Sequence, residues 1–235
     1  MKIHRFFLES TIGDKDTVKI TDQNMVHQMR DVLRLQTGDA VILLDGTGIE
    51  CHGRINQIMK REIVVYKEKV EKASKKDLEN KIEVHLFASV IKKDKFEWVL
   101  QKATEIGVTR ITPFISTRTE KQKLNMDRAD KIVREAAEQS ERKDLPFIDE
   151  PIKLSVALKL AETTPVILDI NAPLINVSQL RETKKICIFI GPEGGWDPRD
   201  RELFDRRKVQ YASLGKNILR AETASVAVAS VLLIG

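Results

Sequence analysis

The rhythm of apolar positions changes once along the chain. Up to about residue 70 they come in short blocks. Val41 to Leu44 is an apolar run closed by Asp45-Gly46-Thr47-Gly48, a turn signal. Ile49 to Met59 and Ile63 to Val70 read as two further strands, with Lys60-Arg61 at the turn between them. Met25, Met29, Val32 and Leu33 recur at helical spacing and predict one helix from Asp22 to Leu35, after which Gly38-Asp39 turns into the Val41 strand. A small β-barrel carrying one helix accommodates these elements. Residues 71–81, EKASKKDLENK, are almost all charged or small and have no hydrophobic period. They predict a boundary near Asp77, with a first domain at 1–72, a linker at 73–81 and a second domain at 82–235; a solvated helical turn fits the same composition.

Beyond the boundary the pattern becomes strand, helix, strand. Ile82, Val84, Leu86, Ala88 and Val90 alternate, with Phe87 and Ile91 on the other face. Asp94 has the position of an N-cap, with Glu97 completing a capping box. Phe96, Val99, Leu100, Ala103 and Ile106 form one apolar face, Gly107 suits the left-handed end, and Trp98 is expected to pack on the core face or flank. Ile111 to Ile115 is the next strand. Residues 125–142 form a second amphipathic helix through Met126, Ala129, Ile132, Val133, Ala136 and Ala137. Val166 to Ile170 and Ile186 to Ile190 are near-continuous apolar runs, as buried parallel strands require. Asp197-Pro198 is an N-cap followed by an N1 proline, opening a helix to about Arg206. Gln210 to Leu214 is a short strand, and Ala221 to Ile234 a packed helix. The C-terminal part is therefore expected to be an α/β domain with a parallel sheet.

Composition narrows the class. With 235 residues, 42% of them hydrophobic, the chain can bury a core without disulfides or metals. The two cysteines, Cys51 and Cys187, are far apart and match no zinc or disulfide spacing, a reducing-compartment pattern that predicts a cytoplasmic protein. The N-terminus, MKIHRFFLES, lacks the apolar stretch of a signal peptide. The net charge of +5 permits a polyanionic partner without requiring one. Most of it falls in residues 90–143, which hold thirteen Lys/Arg against nine Asp/Glu. Lys92, Lys93 and Lys95 precede one helix, and Arg118, Lys121 and Lys123 follow a strand; two basic clusters on such loops fit phosphate contact as well as a plain solvated face.

Two segments stand out chemically. Gly191-Pro192-Glu193-Gly194-Gly195-Trp196 follows a buried strand and precedes a helix, where glycines let a ligand approach the backbone and the carboxyl ends of parallel strands gather ligands. A tight turn with no ligand has the same spacing. Leu214-Gly215-Lys216-Asn217-Ile218-Leu219-Arg220-Ala221-Glu222-Thr223-Ala224 leads into the last helix and sets Arg220 and Glu222 among apolar neighbours, as a binding loop or a capping ion pair would. There is no Walker loop, and Gly46-Thr47-Gly48 lacks the third glycine of a dinucleotide fingerprint. His4, His27, His52 and His85 are scattered, with no metal-ligand spacing, and no metal is expected.

GPEGGW, LGKNILRAETA, DKFEWVLQKATEIGV (Asp94 to Val108), REAAEQSER (Arg134 to Arg142) and HQMRDVLRLQTGDAVILLDGTG (His27 to Gly48) together resemble the RsmE family of 16S ribosomal RNA methyltransferases, in the SPOUT superfamily. The resemblance implies a trefoil-knotted α/β domain that holds S-adenosylmethionine, a PUA-like N-terminal β-barrel that grips RNA, and a homodimer. It implies methylation of N3 of one uridine of 16S rRNA, within the 30S subunit. On that resemblance Gly191, Pro192, Glu193, Gly194 and Gly195 form one cofactor loop, and Leu214, Gly215, Ile218, Leu219, Thr223 and Ala224 the knot loop. Arg220, Glu222, Glu193 and Glu135 are the catalytic candidates. Arg5, His27, Arg34, Lys92, Lys93, Arg118, Gln139 and Arg142 are the RNA-binding candidates. The chain departs from the family pattern at Trp196-Asp197, Asp200, Glu141 and Asn217, the last removing a positive charge. A relative acting on another RNA, or an RNA-binding homologue without catalysis, remains an alternative reading.

Overall fold

The computed structural model describes residues 3–72, 82–120 and 123–234; the expected linker at 73–81 and Lys121 lie outside them. The chain forms two compact units, residues 1–79 with 137–145 and residues 80–136 with 146–235.

In the first unit, β1 (His4–Phe7), β2 (Thr17–Ile20), β3 (Ala40–Leu44), β4 (Ile49–Ile58) and β5 (Ile63–Lys72) form a sheet in the order β1-β3-β4-β5-β2. β1 and β3 run parallel and the other pairs antiparallel. β1 and β2 are four residues each, too short for an alternation to register, and the apolar pattern did not reveal them. α1 (Gln23–His27) starts where Asp22 accepts the Met25 amide at 2.7 Å. The expected long helix to Leu35 does not form. Gln28–Val32 is a π turn instead, closed by the Leu33 amide on the Gln28 carbonyl. The wider turn rotates the apolar face, so Val26 and Met29 are buried while Val32 is 64% exposed. Phe6, Met29, Leu43, Ile55 and Val65 share the core on one side of the sheet. On the other, Phe7, Ile42 and Leu44 pack with Ala137, which is why residues 137–145 belong to this unit.

The same segment closes an ion network. Glu50 is only 2% exposed, with Lys143 Nζ at 3.0 Å, His52 Nε2 at 3.0 Å and Arg5 Nη1 at 3.5 Å; Lys143 also reaches Glu71 at 3.4 Å. Burial opposes ionisation of Glu50, but the Lys143 hydrogen bond and the charges of Arg5 and Lys143 outweigh it and hold the carboxyl below its ordinary range. Gly53 in β4 is a backbone necessity. A Cβ there would stand 2.6 Å from both the Tyr66 carbonyl oxygen and Val65 Cγ1.

In the second unit every strand pair is parallel. β6 (Glu83–Ser89), β7 (Arg110–Ile115), β8 (Phe147–Ile148), β10 (Val166–Leu168), β11 (Lys185–Ile190) and β12 (Gln210–Ala212) are ordered β12-β10-β11-β6-β7-β8, with β9 (Ile152–Lys153) also on β7. The helices are α2 (Lys93–Ile106), α3 (Met126–Gln139), α4 (Leu154–Leu160), α5 (Val177–Glu182), α6 (Pro198–Asp205) and α7 (Ala221–Leu233). α7 packs on α2, β6 and β11. Phe87 stacks on Phe189 at 4.2 Å between centroids, inside the core cluster beneath α4 and α6. Gly107 ends α2 at φ 111, as its sequence position requires. Asp94 does not cap that helix: it begins at Lys93, with Lys92 in the cap position and no side-chain cap bond. Trp98 is not packed either, being 39% exposed, because it lies some 200° around the helix from Phe96. Among the described residues no helix is long and apolar enough to cross a membrane.

At the amino end of this sheet, His85 is buried beside Thr112, Asp149 and Arg110. Thr112 Oγ1 gives its one proton to Asp149, so it accepts from His85 Nε2–H at 2.6 Å, which fixes Nε2 as a protonated nitrogen. Burial, with Arg110 nearby, holds His85 down to about 4. The unfolded chain, with the ordinary value of 6.5, therefore binds more protons than the folded chain between those limits. Stability is expected to fall as pH drops from about 6.5 to 4, by on the order of 3 kcal/mol from this group. Thermal melts across that range should show a flatter acid limb for His85→Gln; an unchanged limb refutes the assignment. Gly53→Ala is expected to lose about 1–3 kcal/mol in chemical denaturation, through overpacking against β5.

Candidate functional site

Parallel strands bring their carboxyl ends to one edge, and three of those ends shape a cleft of about 470 Å³. Its walls are the segments after β10 (Leu168 to Asn171), after β11 (Ile190 to Trp196) and after β12 (Ser213 to Ala221).

The β11 segment is held from beneath. Asp197 and Asp200 form a capping box at the start of α6: Asp197 accepts the Arg199 amide at 3.1 Å and Asp200 accepts the Asp197 amide at 3.2 Å. Asp200, buried, also accepts from the Thr117 amide and hydroxyl at 3.2 and 2.9 Å. The shorter Asp at 200 and the Asp at 197 thus keep the cap intact. The Arg199 side chain, then its amide, hold the Asp197 carboxyl below the usual range. Arg118 Nη1 donates to the Gly194 carbonyl at 2.7 Å, and its Nε to Asp197 at 3.3 Å. Trp196 turns under the loop, donating from Nε1 to the Leu168 carbonyl at 2.9 Å and meeting Phe204 edge-on at 4.9 Å. A Cβ on Gly191 would come within 3.0 Å of that indole, and Gly195 needs its positive φ of 68.

The β10 and β12 segments are stitched together. Asp169 receives the Asn171 amide at 3.0 Å and Arg201 Nη2 at 2.7 Å, and its own amide donates to the Ala212 carbonyl at 2.9 Å. Gly215 turns at φ 138. Ile218, 86% exposed, then leads through Leu219 and Arg220 into α7. β12 lies beyond β10, whereas α7 packs on β6 and β11, so this segment crosses the carboxyl ends of the intervening strands.

Of the expected cofactor residues, Gly191, Pro192, Glu193, Gly195, Leu214, Ile218, Leu219 and Ala224 line the cleft, as does Arg220. Gly194 and Gly215 belong to the same loops but do not line the cleft, and Thr223 is exposed on the first turn of α7. Glu222 is buried outside the cleft's lining, with Lys95 Nζ at 3.6 Å. Glu135 stands on the exposed face of α3, 3.9 Å from Lys131. Arg118 lines the cleft while bracing its loop. Lys92 is exposed, and Lys93 lies 3.8 Å from Glu97. In the first unit Arg5 joins the Glu50 network, His27 pairs with Asp31 at 2.7 Å, and Arg34 is exposed at φ 52. Gln139 is exposed, and Arg142 pairs with Asp144 at 3.4 Å. Glu50, His52 and Glu71 bring three ligand atoms within 4.8 Å of one another, but Lys143 and Arg5 already supply the positive charge there.

The sequence reading missed Leu168, Asp169, Ile170, Asn171 and Arg201. Asp169 carried a signal, being an acid placed directly after an apolar parallel strand. Arg201 carried none, since it reaches Asp169 across 32 positions of sequence. The cleft combines exposed apolar side chains (Ile170, Leu219), glycine backbone, the acids Asp169 and Glu193, and the cations Arg201 and Arg220. That mixture fits a nucleoside-bearing ligand with both charges, and the volume is that of a small-molecule site.

Comparison with known proteins agrees with this geometry. The family described as RNA methyltransferase domain matches residues 78–233, and the RNA methyltransferase PUA domain matches residues 26–66. Ribosomal RNA small subunit methyltransferase E from Rickettsia conorii is 33% identical, the alignment covering 100% of this chain and 97% of that one. Its namesake from Synechocystis is 33% identical over 92% of this chain and 72% of that one. Among solved structures, Ribosomal RNA small subunit methyltransferase E from Neisseria gonorrhoeae, bound to S-adenosyl methionine, superposes with TM-score 0.85 and 29% identity, covering 97% of this chain and 96% of that one. The chain belongs to the RNA methyltransferase domain family, alongside the ribosomal RNA small subunit methyltransferases E, with a PUA domain of the RNA methyltransferase type at its N-terminal end.

Proposed function

We propose that this protein is an S-adenosylmethionine-dependent methyltransferase acting on N3 of a uridine in 16S rRNA, in the cytoplasm and on the 30S subunit. The observation that carries the reading is the cleft itself: three loops at one edge of a parallel sheet, walled by glycine backbone, apolar side chains and charges of both signs. S-adenosylmethionine, when bound, supplies a methyl group already activated on a sulfonium, so no metal is called for. Gly191, Gly195, Leu214, Leu219 and Ala224 would hold it through backbone and apolar contact. Asp169 and Glu193 offer acceptors to its hydroxyl and amino groups. The crossing made by residues 213–220 supports the trefoil-knotted path expected of the family.

The chemistry left to the protein is at uracil N3, which carries a proton and is a poor nucleophile until it loses it. Arg220, on the open side of the cleft, is placed to stabilise negative charge on the base oxygens as that proton leaves. Glu193 shares the cleft and is the accessible proton acceptor. In this reading Glu222, engaged by Lys95, positions the first turns of α7 and α2 rather than taking the proton. The target base must be unpaired or extruded for its Watson–Crick edge to enter. Glu135 and Gln139 lie on α3, off the cleft; we assign them, with Arg5, His27, Arg34, Lys92 and Arg142, to RNA contact. A homodimer completes the reading; Trp98, Ile218, Val231 and Ile234 are among the exposed apolar side chains that a second copy could cover.

Titration calorimetry should detect S-adenosylmethionine binding to the purified chain, and Gly195→Val should abolish it. Arg220→Ala is expected to lower methyl transfer to 30S subunits about 100-fold or more, with cofactor binding nearly unchanged. Unchanged transfer removes Arg220 from the chemistry. Mass-spectrometric mapping of 16S rRNA from cells lacking the protein should show one N3-methyluridine missing; an intact pattern refutes the assigned substrate.

A further inference from the structure

One side chain joins the three segments that wall the cofactor cleft. Arg201 lies in the first turn of α6, the helix into which the β11 loop leads. From Nη2 it donates to Asp169 at 2.7 Å, on the segment after β10. It also hydrogen-bonds Tyr211, in β12. Arg201 and Asp169 both line the cleft.

Neither partner of this ion pair is used up by the other. Asp169 Oδ1 accepts the Asn171 amide at 3.0 Å, and Oδ2 accepts Arg201. A carboxylate oxygen can accept twice, so among the described residues each keeps one place for a further donor. A guanidinium has N–H groups on all three nitrogens, and only Nη2 is engaged by Asp169. The Arg201 side chain is 44% exposed and the Asp169 side chain 8%, so the cleft offers an open donor beside a narrow, fixed acceptor.

That arrangement selects among the groups a nucleoside ligand carries. A protonated amine approaching Asp169 meets the Arg201 charge beside it and is repelled. An adenine amino group is neutral but only donates, which leaves Arg201 unanswered. A hydroxyl both donates and accepts. Two adjacent hydroxyls therefore match the pair, one giving its proton to Asp169 and its neighbour accepting from Arg201.

Resting on the methyltransferase reading above, we propose that the Asp169–Arg201 ion pair determines specificity for the ribose diol of S-adenosylmethionine. Asp169 accepts from one hydroxyl, Arg201 donates to the other, and Tyr211 is a positioning residue that holds Arg201 in place. The cleft thereby rejects cofactors whose sugar lacks either hydroxyl.

S-adenosylhomocysteine and its 2′-deoxy and 3′-deoxy analogues test this in titration calorimetry, with no methyl transfer involved. The wild-type chain is expected to bind the parent compound about tenfold more tightly than either analogue. Arg201→Ala should weaken the parent about tenfold and bring at least one analogue to within about twofold of it. Arg201→Lys, which keeps a donor and the charge, should restore part of that preference. Tyr211→Phe should weaken the parent by about two- to threefold. A purely structural role for Arg201 would weaken all three ligands alike and leave their ratios at the wild-type values. That result, or a wild type that does not distinguish the parent from its analogues, overturns the proposal. If Arg201→Ala does not fold, the wild-type ratios decide alone. Failure of the wider reading looks different: the ratios would hold while no methyl reached ribosomal RNA.

Discussion

The hydrogen bond from the Trp196 indole to the Leu168 carbonyl is the constraint on which the cleft depends. It ties the loop after β11 to the end of β10, the two strands that lie side by side in the sheet. The indole can reach that carbonyl only because residue 191 lacks a Cβ and because Phe114 and Phe204 receive its ring. Once it is seated, Asp197 stands where α6 must begin, and Asp200 returns to fix both the loop and Thr117. Arg118 then closes over Gly194. Glycine in this loop is thus a demand of packing against a large aromatic as well as an opening for a ligand.

Much of this was legible in the chain. An apolar run followed by glycines and then Asp-Pro is a strand, a loop and a capped helix, and each appears where the pattern put it. The buried parallel strands were visible for the same reason: full burial on both faces leaves nothing polar in them. What failed was local in character. Asp94 looked like a cap because its neighbours spell a capping box, yet the helix starts one residue earlier and leaves it in the first turn. The helix expected from Asp22 to Leu35 was undone by a single π turn, which no count of apolar positions registers.

The site itself divides along the same line. Residues that act through their backbone in a contiguous loop were visible, whereas Asp169, Arg201 and the brace made by Arg118 depend on partners far away in sequence. Family resemblance, not periodicity, joined LGKNILRAETA to GPEGGW. The structure adds the physical reason: β12 sits beside β10 while α7 rests on β6 and β11, so the connecting segment has to pass over the cleft.

The first unit is not contiguous in the chain. Ala137 seals one side of its sheet, and Lys143 supplies the cation nearest to the carboxylate of Glu50, which lies inside it. During synthesis the five strands therefore leave the ribosome well before the segment that finishes them. Until that segment arrives, Phe7, Ile42 and Leu44 lack their cover, and Glu50 has only Arg5 and His52 for company. The N-terminal half must wait for part of the C-terminal half, so maturation of the two is coupled in time, and a fragment cut at the boundary would be a sheet with one open side rather than a finished RNA-binding module.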